Sequence, residues 1–451
     1  MPPDPEVGSS PARLAARAVR HKLRAVGALG TFWPAVARGG RLLARGRVRE
    51  FAGKLFNETA AVRAGDAAPV RTGPPLVLAG HVIRSGGYDQ VVFALLKELL
   101  AAGVNVYRDP RAVLNPALVP AHLRPAELGR ARGLPRLAAT PPHLLHRLAP
   151  DRRTAAFTMW ETDTLPAGAV AALNRCGLVI VPTRWGAECF RANGVTVPIE
   201  VVPLGYDPGV FNLTPPAPFP KREGGASKDR RAEGSSSDSP PFLGEGLGER
   251  LICFGTAGAL DAGGLRKNVP RVIDLFRRAF PTDPDVRLRV KITPTSPPVP
   301  THADPRIDVV AHALEPADLA AWYRSLTAFV NGSFGEGFGL HLLEAMACGR
   351  PLISTAFGGA GAFFDGSVGY EVGYRLVEAR NAVYSGRWAD PDDAEMIARM
   401  RQVRADRAEA RRLGERAAGR AAGFTWAATA RRLVEVLGRH GLMECEPSQG
   451  S

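Results

Sequence analysis

The stretch from Ala328 to Thr355, AFVNGSFGEGFGLHLLEAMACGRPLIST, restricts the fold more than any other part of this chain. Ala328, Phe329 and Val330 read as a short apolar strand. A loop follows with glycines at Gly335, Gly337 and Gly339, then a helix-forming run from Leu340 to Cys348. Gly349 and Pro351 stop that helix before a second strand, Leu352 to Thr355. Glycines just ahead of a helix let a ligand approach the backbone, and the free N–H groups of the first turn, with the helix dipole, favour a phosphate there. The amides around Gly337, Phe338, Gly339 and Leu340 are therefore a candidate anion cradle.

Two carboxylates punctuate the stretch. Glu336 lies in the loop, and Glu344 about one turn into the helix, on the side of the cradle. A carboxylate at Glu344 can accept two hydrogen bonds from a vicinal diol such as a ribose, while Glu336 can reach a hydroxyl beyond the phosphates. That layout suits a nucleotide sugar. Taken alone, the same residues also fit an ordinary glycine turn with Glu344 on a surface helix.

The rest of the chain alternates strands and helices. Pro75 to Ala79 reads as a first strand, followed by a glycine loop with Gly86 and Gly87, an amphipathic helix, Gly103 as its cap, and a strand from Val104 to Tyr107. The loop is neither a dinucleotide GxGxxG nor a P-loop. Prolines break the pattern between Asn115 and Pro150, where only Leu137 to Ala139 suggests a strand. From Thr154 onward, strand, helix, strand, helix and strand follow in turn as far as Asp207, which implies a parallel sheet with ligands beyond its carboxyl ends. Glu161, Thr162 and Asp163 occupy such an end and are candidates to meet an acceptor hydroxyl; alternatively Asp163 or Thr164 caps the next helix. His143 and His146 stand three apart without a third metal ligand and read as surface histidines.

A second domain begins at Leu251 with LICFGTAG, and its first helix, expected from Arg271 to Ala279, is preceded by Arg266 and Lys267. Further elements are strands at Arg287 to Ile292 and Ile307 to Val310, a helix at Pro316 to Arg324, and the central stretch. Between the domains, residues 213–249 are Pro, Gly, Ser and mixed charge, too poor in apolar residues to offset the entropy of ordering; they read as a disordered insertion.

Composition narrows the function. The net charge of +14 suggests anionic partners, and residues 1–70 hold twelve basic and five acidic side chains. Arg13, Arg17, Arg20 and Arg24 recur at helical spacing, so residues 11–33 could rest on an anionic membrane surface or form a solvated extension. No apolar run is long enough to span a bilayer, the start carries no secretory pattern, and five scattered cysteines include no CxxC. A cytoplasmic location, peripheral at the inner face of the membrane if 11–33 binds there, is expected. Nucleic acid is not an expected partner.

The string EGFGLHLLEAMACGRPLI resembles the donor-site signature of the retaining family 4 glycosyltransferases (glycosyl transferases group 1) of the GT-B fold. It departs at His341, where that family usually has proline. The resemblance extends roughly over 75–212 and 250–440, and it implies an α/β fold of two Rossmann-like domains with parallel sheets facing a cleft. Domains are expected at 71–212 for the acceptor, completed by a C-terminal helix at 425–441, and at 250–424 for the donor. The RKN triplet resembles the family's phosphate-binding basic pair: its lysine maps onto Lys267, and Arg266 stands in for an arginine that many relatives carry where this chain has Thr256. By the same resemblance Gly86 and Gly87 face the donor phosphates across the cleft. The implied activity is metal-independent transfer of a sugar, with retention, from a nucleotide-diphosphate sugar to a hydroxyl on a glycan, lipid-linked glycan or other glycoconjugate, with no cofactor beyond that substrate. Asp283-Pro-Asp285, a DxD, lies in a turn after a helix and reads as structural. A glycosidase using Glu336 and Glu344 would leave the cradle idle. A catalytically silent GT-B scaffold, or a basic protein binding a membrane or nucleic-acid surface, is the alternative.

Overall fold

Short runs rich in Val, Leu, Ile and Ala pair in parallel here, because the helix after each carries the chain back across the sheet. The computed structural model describes residues 73–82, 87–109, 111–112, 114, 118–127, 133–213, 251–260, 264–301, 303–379 and 383–443. The expected extension over 1–70 with its segment 11–33, the insertion over 213–249 beyond Leu213, and Gly86 lie outside these residues.

The first sheet is built from β1 (Pro75–Ala79), β2 (Asn105–Arg108), β3 (Ala126–Glu127), β4 (Arg136–Ala139), β5 (Thr154–Phe157), β6 (Leu178–Val181) and β7 (Ile199–Val201). Its order is β3-β2-β1-β4-β5-β6-β7 with all pairs parallel. Helices α1 (Gly87–Ala101), α2 (Ala169–Leu173) and α3 (Arg184–Ala192) connect these strands. The second sheet contains β8 (Ile252–Gly258), β9 (Val286–Ile292), β10 (Ile307–Val310), β11 (Ala328–Val330), β12 (Leu352–Ser354) and β13 (Tyr370–Glu371). Its order is β10-β9-β8-β11-β12-β13, again parallel, with α4 (Val269–Ala279), α5 (Pro316–Arg324) and α6 (Leu340–Ala347) as crossovers. In both sheets the winding reverses at a central pair, β1/β4 and β8/β11, and ligands of such sheets sit beyond the carboxyl ends at that point. For the second sheet that places Gly258 to Leu260, Gly264 to Lys267 and Asn331 to Leu340 at the crevice.

Helix α6 is held from below. Leu342, Leu343, Ala345, Met346 and Ala347 are buried, each large one contributing roughly 2–3 kcal/mol. That anchorage fixes the amino end of the helix, and with it the glycine loop.

After β13 the chain forms an antiparallel hairpin, β14 (Tyr374–Glu378) with β15 (Arg387–Pro391), and then α7 (Asp393–Ala405), α8 (Arg407–Ala421) and α9 (Trp426–Arg439). The last helix packs on α1 of the first sheet. Its entry is pinned by the Tyr206 N–H to the Phe424 carbonyl at 3.1 Å and the Trp426 N–H to the Tyr206 carbonyl at 3.2 Å. Among the described residues no helix is long and apolar enough to cross a membrane.

Three local expectations change. Strand β3 forms within the proline-broken stretch, where only Leu137 to Ala139 was expected. Helix α2 is a bare five residues preceded by Gly168, a left-handed residue that offers no side-chain cap. Neither Asp163 nor Thr164 caps it, because both are drawn to the hairpin, an element absent from the sequence reading.

Candidate active site

The glycine loop leaves β11 and turns into α6 at Gly339, whose φ of 96° is one that side chains rarely adopt. The first two N–H groups of α6, on Leu340 and His341, have no acceptor within the helix. Beside them stands an ion cluster. Lys267 Nζ donates to both Glu336 carboxylate oxygens at 2.7 and 2.8 Å. Arg266 reaches Glu336 Oε2 at 3.0 Å, lies 3.6 Å from Glu161, and donates to the Gly335 carbonyl. Thr256, where many relatives of the resembled family carry an arginine, is buried in β8.

Charge pairing dominates the electrostatics. Burial alone would raise the Glu336 carboxyl, but Arg266 and Lys267 together pull it far below the ordinary carboxylate range. Burial, with Arg266 alongside, holds the Lys267 ammonium below its ordinary value although Glu336 pulls it up. On Glu161 burial wins and raises the carboxyl despite Arg266. His341, in the first turn of α6, is pushed down to about 3 by burial and by Lys267, so its imidazole is neutral.

Three buried nitrogen atoms at this cluster lack any hydrogen-bond partner: Arg266 Nε, Asn268 Nδ2 and His341 Nε2. Buried polar groups are nearly always paired, so unpartnered Arg266 Nε and His341 Nε2 beside Glu336 leave bonding capacity that a polar ligand can use. Farther along α6, Glu344 accepts a hydrogen bond from the Tyr323 hydroxyl at 3.1 Å. Burial raises its carboxyl from the ordinary 4.5 to about 7, offset in part by Tyr323 and by Lys291 near the carboxyl end of β9. Glu344 thus lies between Tyr323 of α5 and Lys291 of β9.

The first sheet contributes the opposite wall through the loop after β5. A Cβ at Gly335 would come within 2.4 Å of the Glu161 carbonyl, and one at Gly337 within 2.6 Å of Met159, so glycine permits the two loops to touch. Glu161, partly buried, joins the ion cluster through Arg266. Thr162 is not available to an acceptor: its hydroxyl accepts from Trp160 Nε1 at 2.8 Å and donates to the Thr164 carbonyl at 3.0 Å. Asp163 is tied to the hairpin through the Arg387 backbone N–H at 2.7 Å and guanidinium at 2.9 Å. Gly87, the first residue of α1, has open space around it, so its lack of a side chain serves no packing need.

Two site residues carried no signal in the sequence reading. The Tyr88 hydroxyl, in the first turn of α1, accepts from the Met159 N–H at 3.0 Å and donates to its carbonyl at 3.2 Å, fixing the residue that meets Gly337. Tyr384, in the hairpin turn, hydrogen-bonds with Glu161 and Arg266 and lies against Trp160 with ring centroids 4.9 Å apart. An aromatic directly after two glycines at a helix start was the available cue for Tyr88; Tyr384 had none. Of the other candidates, His146 is exposed but His143 is half-buried edge-on to Trp160, so the pair is not uniformly at the surface. Asp283 binds Arg404 at 3.0 Å and caps its own turn, the structural role expected of that DxD. Among the described residues no three acidic, histidine or cysteine side chains cluster as metal ligands do.

Residues 255–387, which hold the glycine loop, the basic pair, Glu344 and the first strand of the hairpin, match the family described as glycosyl transferases group 1. This segment is similar to glycosyl transferases group 1 domains. A curated relative, the D-inositol 3-phosphate glycosyltransferase of Frankia alni, is 42% identical over 126 residues, 28% of this chain and 27% of that protein. The alignment therefore spans about a quarter of the relative's length. Around the matched segment, the whole fold is similar to sucrose-phosphate synthase from Thermosynechococcus elongatus. There the TM-score is 0.54 at 16% identity, covering 81% of this chain and 98% of that one. It is also similar to HepE of Anabaena solved with UDP and glucose, with a TM-score of 0.57 at 13% identity over 81% and 100% of the two chains. The matched segment thus belongs to the second sheet of a GT-B architecture, two Rossmann-like sheets with their carboxyl ends facing one cleft.

Proposed function

We propose that this protein is a glycosyltransferase that moves a sugar from a nucleotide-diphosphate sugar to an acceptor hydroxyl, with retention of anomeric configuration. The observation that carries the reading is the Lys267–Glu336–Arg266 cluster at the amino end of α6, bordered by unpartnered Arg266 Nε and Asn268 Nδ2. The group 1 match over the same residues supports it.

Breaking the bond between the anomeric carbon and the phosphate oxygen leaves negative charge on the diphosphate and positive charge on the sugar. Lys267, Arg266 and the free amides of α6 meet the first; removing one such donor typically costs about 3 kcal/mol of barrier. Glu336, an anion at any working pH, faces the second. Glu344 accepts the ribose diol, which orients the nucleoside and leaves the diphosphate over the amino end of the helix. Contact of the loop at Met159 and Glu161 with the glycine loop excludes water from the reacting bond. A UDP-bound neighbour of the same fold makes uridine nucleotides the first donors to test. D-inositol 3-phosphate, in the name of the Frankia relative, belongs among the acceptors tested. Peripheral attachment in the cytoplasm through the basic segment 11–33 is part of the same reading.

Isothermal calorimetry with UDP, GDP and ADP tests it. One nucleoside diphosphate is expected to bind wild type and to bind Glu344→Ala at least about tenfold more weakly, the loss of one to two hydrogen bonds to a charged group. Equal affinity of the two proteins would overturn the assignment.

A further inference from the structure

His341 is a residue for which the proposed chemistry has so far no use. It stands where the resembled family usually has proline, it is half-buried in the first turn of α6, and its ring meets Phe329 edge-on at 5.8 Å. Its Nε2 is buried without a partner, 3.9 Å from Glu336 Oε1. The charged groups facing it are Lys267, Glu336 and Arg266. A buried imidazole nitrogen just beyond bonding distance of a buried carboxylate is costly to keep unless it is used in another state.

That state follows from the position of Lys267. Its ammonium group spends two hydrogen bonds on Glu336. A diphosphate entering over the amino end of α6 has a greater claim on this cation, and turning Lys267 toward it strips Glu336 of those bonds. Closing the 3.9 Å separation to an ordinary hydrogen bond takes about 1 Å of ring movement. Resting on the glycosyltransferase reading above, we propose that His341 is a positioning residue: its neutral Nε2–H takes over Glu336 when Lys267 transfers to the diphosphate, holding the carboxylate toward the sugar. The imidazole keeps its proton throughout, so no charge moves onto the ring. Proline at this position could not do this, having no side-chain donor.

The test compares His341→Leu and His341→Gln with wild type, in the full chain. The readouts are release of nucleoside diphosphate from whichever of UDP-glucose, UDP-N-acetylglucosamine, GDP-mannose and ADP-glucose wild type cleaves fastest, and calorimetric binding of the corresponding nucleoside diphosphate. For His341→Leu, kcat is expected to fall about 10- to 100-fold, the range for a lost orienting hydrogen bond, with KM and nucleoside diphosphate affinity within about threefold of wild type. His341→Gln, which keeps a neutral N–H donor, is expected to recover most of kcat. Three results would overturn the inference: unchanged kcat in His341→Leu, equal loss in both variants at equal thermal stability, or a parallel loss of nucleoside diphosphate binding. A wild type inert toward every donor would instead overturn the glycosyltransferase reading itself, which separates the two failures.

Discussion

Lys267 Nζ donates to both carboxylate oxygens of Glu336, at 2.7 and 2.8 Å, so the cation that would neutralise a leaving group is neutralised in the meantime by the carboxylate beside it. Each ion is tolerable in this buried place because of the other. Lys267→Met is expected to strand Glu336 against Arg266 alone, and Glu336→Leu to leave two cations side by side. Each single change should cost about 3 kcal/mol of stability, whereas the double variant should lie close to wild type. Urea unfolding of the four proteins reads the coupling directly. Additive losses would mean that the pair is energetically independent.

Glu344 works near neutrality. Its folded-state carboxyl is raised from 4.5 to about 7, so the folded protein binds more protons than the unfolded chain between those values. Stability from this group is therefore present below pH 4.5, is lost as pH rises, and its deficit is complete above about 7. The size of the deficit is roughly 3 kcal/mol at most. Glu344→Gln should raise the melting temperature at pH 8 and leave it nearly unchanged at pH 4.5, while weakening nucleotide binding. Melting curves at the two pH values check the sign, and a stabilisation confined to acid would refute it.

Gly335 tests whether the two walls meet during turnover. A methyl group there would come within 2.4 Å of the Glu161 carbonyl, a backbone atom that cannot step aside alone. Gly335→Ala is expected to hold the walls apart and lower kcat by about tenfold or more, with little change in nucleoside diphosphate affinity, because the phosphate ligands lie on the second sheet. Wild-type turnover in this variant would place the chemistry in the open form.

The hairpin clasp is a gentler test. Arg387 and Asp163 are partly exposed, at 54% and 33%, so their pairing contributes at most about 1 kcal/mol to stability. Arg387→Ala should leave the melting temperature within a few degrees of wild type and raise KM for the donor about threefold to tenfold, since it loosens closure without touching the phosphate ligands. An unchanged KM would remove the clasp from the account.

Much of this was legible in the sequence because buried parallel strands and their helices advertise themselves locally. Pro75–Ala79, Ile307–Val310, Pro316–Arg324 and Ala328–Val330 appear at the bounds read from apolar runs and stop signals. The glycine loop with Glu336 and Glu344 was equally plain, since its chemistry lies within one short segment. What escaped depends on partners remote in the chain. The hairpin over 374–391 has an exposed face, with Tyr374 and Leu376 in solvent, and no two-residue turn signal, so neither alternation nor turn chemistry marked it. Glu161 was assigned outward because it follows a strand's carboxyl end; only the approach of Arg266 from the other sheet turns it inward. Thr162 was misplaced for a similar reason, its hydroxyl being claimed by Trp160 and Thr164 within its own loop.

The central claim is that Lys267 stabilises a departing nucleoside diphosphate at the amino end of α6. Its most direct measurement is the rate of nucleoside diphosphate release from UDP-glucose, UDP-N-acetylglucosamine, GDP-mannose and ADP-glucose, by wild type and by Lys267→Ala, with stability of both checked by melting. At least one donor should be cleaved by wild type, and its cleavage should drop by about 10² to 10³ in the folded variant. Cleavage of no donor by wild type, or equal rates in the two proteins, would contradict it.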